Sequence, residues 1–160
     1  MTTKLTHYTK SINLIQHQYG APWMRIFGLG PSLSPIKAIK QLQTLLNKNT
    51  FWARNRSLKH LKKMIAKSSS IVTLWEEKKL IGFGRATSDN IYRAVLWDIV
   101  IAEDYQKHGF GKILVDSLQE SKSVKNVEKV YLMTTNCQDF YESCGFTSKT
   151  NQTVLLKENL

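Results

Sequence analysis

Apolar residues along this chain change their spacing several times, and each change marks a new element. Between Ser34 and Lys67 they recur at helical intervals. Ile36, Ile39, Leu42 and Leu46 share one face of a helix running to about Asn47. Ser34-Pro35 is a fitting start, a serine able to cap and a proline whose fixed φ suits the first helical position. Leu58, Leu61 and Ile65 define a second helix over about 56–67. From Ser70 the pattern becomes extended: Ile71, Val72, Leu74 and Trp75 form a strand, Glu76 to Lys79 a charged hairpin turn, 80–86 its partner, and 93–101 a third strand. Helical spacing returns with Ile113, Leu114 and Leu118, from about Lys112 to Lys122. A strand over 127–133, a short helix from Asp139 to Ser143 closed by Gly145, and a final strand over 153–156 complete the series. Ahead of these elements, residues 1–22 are polar with weak periodicity and are expected to be irregular. Trp23 to Phe27 is a strand candidate among the punctuating Pro22, Gly28, Gly30, Pro31 and Pro35. The order, two helices, an antiparallel meander, a helix and a strand that must cross over to pair in parallel, predicts an α+β (mixed α/β) fold. Its central sheet is mixed and flanked by helices on both faces.

Length and composition narrow the class. The 160 residues suit one domain, 1–160, with a helical lobe over 23–69 and a core over 70–150. A hydrophobic content of 42% with 22% charged residues is that of a globular chain rather than a disordered one. No apolar run approaches the roughly 20 residues that cross a bilayer, and no apolar signal segment opens the chain. A cytoplasmic location without membrane partners is expected. Cys137 and Cys144 have no second cysteine pair, and His7, His17, His60 and His108 are scattered, so no metal site is expected.

Charge is divided unevenly. From Met1 to Trp75 there are 12 Lys and Arg and no acidic residue, whereas from Glu76 onward 11 basic residues face 12 acidic ones. A basic half can attract nucleic acid, acidic protein surfaces or a polyanionic coenzyme. No RNA-binding signature accompanies it, so solvated helix faces carrying Lys37, Lys40, Lys48, Lys59, Lys62 and Lys63 are the simpler reading, and a nucleic-acid partner is not expected.

The chemistry-bearing motif is Gln106-Lys107-His108-Gly109-Phe110-Gly111, which follows an extended apolar run and opens a helix. Glycines there let the backbone turn tightly and gather N–H groups at a helix N-terminus, where phosphate binds. A mononucleotide, a dinucleotide or a coenzyme pyrophosphate would satisfy this turn equally.

Two signatures together resemble the GNAT superfamily of acetyl-coenzyme A dependent N-acetyltransferases. One is the Gln/Arg-x-x-Gly-x-Gly/Ala turn at Gln106 to Gly111; the other is Phe140-Tyr141-Glu142-Ser143-Cys144-Gly145-Phe146, similar to the family's short helix after the fifth strand. Gly84-Arg85-Ala86-Thr87-Ser88-Asp89, Leu96-Trp97-Asp98-Ile99-Val100-Ile101 and Tyr105-Gln106 further resemble the cyanobacterial and plastid branch, which includes serotonin, lysine and protein N-terminal acetyltransferases. The resemblance implies the acyl-coenzyme A N-acyltransferase fold and acetyl-CoA as co-substrate. It implies that the backbone of Gln106, Lys107, His108, Gly109, Phe110, Gly111 and Lys112 holds the pyrophosphate, that main-chain groups of Ile99, Val100 and Ile101 pair with the pantetheine arm, and that Asn136 contacts it too. Tyr141 occupies the family's position for the acid that protonates the departing thiolate. Trp97 and Thr134 fall at the amine acceptor, Thr134 standing where plant relatives carry an acidic residue.

Asp98 is the candidate general base, with Asp139, Glu142 and solvent as competitors. Residues two apart on a strand share a face, and in several relatives the base lies on the face that here carries Val95 and Trp97, which counts against Asp98 unless a bulge resets the alternation. Direct transfer in a ternary complex is expected, to a small-molecule or protein amine, because neither cysteine has a neighbouring histidine to activate it. A basic binding protein or a coenzyme-binding regulator on the same scaffold is the alternative. A monomer or a homodimer would serve either.

Overall fold

A computed structural model describes residues 2–5, 11–18, 29–31, 34–148 and 151–158. Two strands occupy the N-terminal stretch expected to be irregular, β1 (Thr2–Leu5) and β2 (Ile12–Gln18). Two helices follow, α1 (Pro35–Asn49) and α2 (Leu58–Lys67), then the meander β3 (Ser70–Glu76), β4 (Lys79–Ser88) and β5 (Arg93–Ile101). A 3-10 turn at Glu103–Tyr105 leads to α3 (Phe110–Gln119), β6 (Lys129–Tyr131) and α4 (Gln138–Ser143). The strand candidate at Trp23 to Phe27 lies outside the described residues.

The six strands form one sheet in spatial order β1 to β6, antiparallel throughout except for the parallel pair β5·β6. A parallel neighbour requires a crossover, and α3 supplies it. Alternation along each strand sends side chains to two separate cores. Val72, Leu74, Ala86 and Leu96 pack with Phe110, Leu114 and Leu118 of α3 on one face. Ile71, Trp75, Phe83 and Val100 pack with Leu42, Leu46 and Leu61 on the other. Pro35 begins α1 as its sequence suggests, and the carbonyl of Ser34 accepts the Ala38 N–H at 3.2 Å. Ile36, however, is 59% exposed, because the buried stripe is Ala38, Ile39, Leu42, Leu45 and Leu46. The Ser57 hydroxyl caps α2 by accepting the His60 N–H at 3.2 Å.

Two C-terminal expectations are corrected. The strand over 127–133 shortens to three residues, and the one over 153–156 does not form: Val154, Leu155 and Leu156 are 73–90% exposed and unpaired in any ladder. The first keeps only the residues that pair with β5 and the second has no partner in any ladder, since β-propensity acts through pairing and packing.

One buried titratable group belongs to the frame. The Leu29 carbonyl accepts from the Thr73 hydroxyl at 3.1 Å, the Trp75 indole N–H at 3.2 Å and the His17 ring Nε2 at 3.2 Å. Burial pushes His17 from its ordinary 6.5 down to about 4, against the opposing pull of that carbonyl. The unfolded chain therefore takes up this proton before the folded one does. Stability falls as pH drops from 6.5 to about 4, by about 3 kcal/mol from this group. Melting temperatures measured over that range should fall less steeply for His17→Gln, and identical slopes would refute the assignment.

Candidate active site

The site starts from a defect in β5. Arg85 pairs with Trp97 and Phe83 with Val100, so Asp98 and Ile99 together oppose Gly84. This is a β-bulge, and Asp98 takes a left-handed φ of 50° within it. The bulge resets the alternation. Trp97 and Asp98 both reach the α1/α2 face, while Ile99 turns to the α3 face and packs near Leu114 over Gly84. Asp98 thus shares a face with Trp97, as a base candidate on this strand requires.

Beyond the bulge β5 loses its outer neighbour. β6 pairs only with Arg93, Ala94 and Val95, so the edge of β5 from Trp97 to Ile101 has no strand beside it among the described residues. The Ile101 carbonyl on this stretch accepts the Gln106 side-chain amide at 3.0 Å. That bond ties the following turn to the strand end and gives Gln106 a structural task that its motif position alone does not reveal.

Lys107 and Gly109 both have left-handed backbones, φ 62° and 82°, and Gly109 is the N-cap residue of α3. Alternating handedness of this kind makes a concave nest of N–H groups that suits an anion. A Cβ on Gly109 would meet nothing within 4 Å, so the concavity is open to solvent. Phe110 is 5% exposed, anchoring the helix from within, and Lys112 is exposed and pairs with Asp116 at 3.1 Å. His108 and Phe110 lie ring to ring at 6.5 Å. These residues fit the pyrophosphate of a coenzyme through backbone donors at a helix N-terminus.

The helix α4 follows β6 and lies against the start of α3. Its Phe140 ring would lie 3.2 Å from a Cβ at Gly111, so the glycine lets α4 rest on the first turn of α3. Tyr141 packs edge-on against Phe140 and Phe146, at ring separations of 4.9 and 6.1 Å. Burial pushes its phenol up to about 12, with the Cys137 and Cys144 side chains adding to the effect. Ahead of α4, Thr134 and Asn136 are exposed and shape the loop: the Thr134 hydroxyl accepts the Cys137 N–H at 3.1 Å, and Asn136 Oδ1 accepts from the Cys137 thiol at 3.4 Å. At Gly111 the start of α3, Phe140 of α4 and Ile101 at the end of β5 come together, a Cβ there lying 3.2 Å from the Phe140 ring and 4.0 Å from the Ile101 side chain.

On the α1/α2 face, Trp97 is half-buried, its indole N–H donating to Thr87 at 2.8 Å and its ring lying 5.6 Å beneath the Arg85 guanidinium. Asp98 accepts from Arg56 at 2.9 Å and from Arg85 at 2.7 Å. Sequence reasoning passed over both arginines. A signal existed in Arg85, a charge within an otherwise apolar strand. Two clefts, of about 290 and 460 Å³, lie beside the C-terminal half of α1, and Gln106 lines the smaller of them.

The model of the Acetyltransferase (GNAT) family matches residues 39–146. The chain belongs to the GNAT acetyltransferase family. Among curated relatives it is 36% identical over 100 residues to the N-acetyltransferase ycf52 of Pyropia yezoensis, covering 59% of this chain and 57% of that protein. It is 39% identical over 72 residues to the chloroplastic GCN5-related N-acetyltransferase 2 of Arabidopsis thaliana, covering 44% of this chain and 28% of the relative. The match thus spans about half of the one and under a third of the other. In fold, a GNAT-family acetyltransferase of Streptococcus pneumoniae superposes with a TM-score of 0.69 at 18% identity, over 92% of this chain and 98% of that one. An aminoglycoside N-acetyltransferase solved in complex with CoA gives 0.66 at 12% identity, over 98% and 100%. Among the described residues no helix is long and apolar enough to cross a membrane, and no three His, Cys, Asp or Glu residues gather as a metal site would need.

Proposed function

We propose that this GNAT protein transfers the acetyl group of acetyl-CoA directly to a primary amine. The observation that carries the reading is the anion-suited turn at the N-terminus of α3, joined at Gly111 to the end of the unpaired β5 edge and to α4, the helix that bears Tyr141. Acetyl-CoA supplies the activated acyl carbon and a good leaving group. The turn from Lys107 to Lys112 binds its pyrophosphate through backbone N–H groups, and the edge from Ile99 to Val100 takes the pantetheine arm as an added strand. The Ile99 N–H is the donor for the thioester carbonyl oxygen as charge builds there. The C–N bond forms as the C–S bond breaks; Tyr141 protonates the departing sulfur, and the proton of the amine leaves to water. Asn136 borders the arm, and Trp97 and Thr134 border the acceptor.

The acceptor class is an amine of low positive charge. Lys59, Lys62, Lys63 and Lys67 stand exposed on α2 in a half of the chain without acidic residues, and this field repels polycations. Arylalkylamines such as serotonin, and lysine or N-terminal amines in neutral or acidic peptides, fit it better than polyamines. The test is thiol release from acetyl-CoA with a panel of all four types. Release with none of them above background hydrolysis would leave a coenzyme-binding regulator as the better reading.

One observation favours a second reading, binding of nucleic acid. Phe51 and Trp52 are 63% and 50% exposed, lie edge to face at 5.0 Å, and sit between the two basic helices. Exposed aromatic rings beside cations suit unstacked bases. Salt-sensitive RNA binding that survives Tyr141→Phe, without thiol release, would support this reading over the first.

A further inference from the structure

Asp98 is the most heavily engaged carboxylate of the site. Its side chain is 5% exposed, Oδ1 accepts from Arg56 Nη1 at 2.9 Å, and Oδ2 accepts from Arg85 Nε at 2.7 Å. The three residues come from three separate places: Arg56 from the connection between α1 and α2, Arg85 from β4, and Asp98 from the bulge of β5. We propose that Arg56, Asp98 and Arg85 form a positioning clamp that holds the β5 bulge in its working shape, and that Asp98 does not act as the proton acceptor of the reaction.

Three features carry this assignment. Both oxygens of the carboxylate face guanidiniums, which never surrender their protons, so an incoming ammonium would have to displace one of them to reach it. Asp98 takes a left-handed backbone, φ 50°, in the middle of a strand, and the two ion pairs fix its side chain in that arrangement. Finally, the bulge separates the paired part of β5, up to Val95, from the unpaired edge, and it determines which way the Ile99 N–H points. Arg85 also lies over the Trp97 ring, so the same clamp steadies the indole on the acceptor side. Arg56 has one further contact, to the Met64 sulfur at 3.5 Å, which seats it against α2. A change at any of the three residues is thereby passed to the β5 edge without any of them meeting the reactants.

The clamp's catalytic meaning rests on the proposed acetyl transfer, and the test separates the two. CoA affinity by calorimetry and steady-state kinetics with acetyl-CoA and an amine from the panel would be compared for wild type, Asp98→Asn, Arg56→Gln, Arg85→Gln, the Arg56→Gln/Asp98→Asn pair and Arg56→Lys. Each of the first three variants is expected to weaken CoA binding and to lower kcat, each on the order of tenfold, and the pair is expected to be no worse than its worse member, as partners in one network behave. Arg56→Lys keeps the charge of a contact made through a single nitrogen and restores most of what Arg56→Gln loses. The pH dependence of kcat/KM keeps its shape in Asp98→Asn. The proposal is overturned if Asp98→Asn removes the acidic limb of that profile while CoA affinity and both glutamine variants stay at wild-type values. Wild type that turns over no amine would remove the acetyl-transfer reading only, because CoA affinity still reports on the clamp. Equal affinity across the set would remove the clamp. Arg56 is the most exposed member at 32%, so Arg56→Gln keeps the test available should an Asp98 variant not fold.

Discussion

Tyr141→Phe should lower kcat by roughly 10²- to 10⁴-fold, the usual contribution of a positioned acid, while CoA affinity and melting temperature stay near wild type. The substitution removes one oxygen and leaves the ring packed against Phe140 and Phe146. What is lost is the proton for the departing sulfur. Burial holds the phenol neutral well above its ordinary value of 10.0, up to about 12, so the donor remains loaded through any ordinary working range. The same shift has a consequence for stability, and its sign is definite. The unfolded chain releases this proton first, so the contribution is whole below pH 10.0 and is lost as pH rises toward about 12. Activity should accordingly show no alkaline decline from Tyr141 itself below about pH 10. A kcat within about twofold of wild type in Tyr141→Phe would remove the residue from its acid role.

Gly109→Asp should abolish measurable coenzyme binding without unfolding the protein. Its Cβ would enter open space, aspartate tolerates the left-handed conformation better than most residues, and an acid at an N-cap suits the helix. The same charge beside a bound phosphate repels it, and the loss is expected to be about a hundredfold. Gly109→Asn has the same shape without the charge and should retain most of the affinity. Gly111 is the poorer probe, despite belonging to the same motif. A Cβ there lies 3.2 Å from the Phe140 ring, which must give by a few tenths of an ångström, so a substitution would mix packing with binding. Unchanged affinity in Gly109→Asp, measured by titration calorimetry, would separate the turn from the coenzyme.

Much of this architecture is visible in local spacing, and the exceptions have a common cause. α1, α2, the meander and α3 each carry their own periodic apolar face, so their existence and type can be read without knowing what they touch. β1 and β2 cannot be read in this way. Thr2–Leu5 has no alternation, and in β2 Ile12 and Leu14 share their face with Gln16 while Asn13 shares the other with Ile15; β2 is a strand because β3 lies beside it, Ile12 pairing with Glu76 far along the chain, and β1 because β2 lies beside it. The segment over 153–156 shows the converse, strand-like composition without a partner. At the site, the glycine turn and Tyr141 stand in compact motifs. The bulge is marked by no glycine or proline of its own, and Arg56 lies 42 residues from the aspartate it holds. Charge pairs across such a distance leave no local pattern.

The parallel pairing of β5 and β6 rests on only three register positions. The segment from β6 onward also packs on the core beneath α3 through Val130, Leu132, Phe140, Tyr141 and Phe146. The segment from β6 to α4 is thus held by three ladder positions at one end and by apolar packing at the other. A ligand arm laid along the β5 edge would supply the missing rungs. In this protein the donor molecule would then be part of the scaffold that delivers the acid to it.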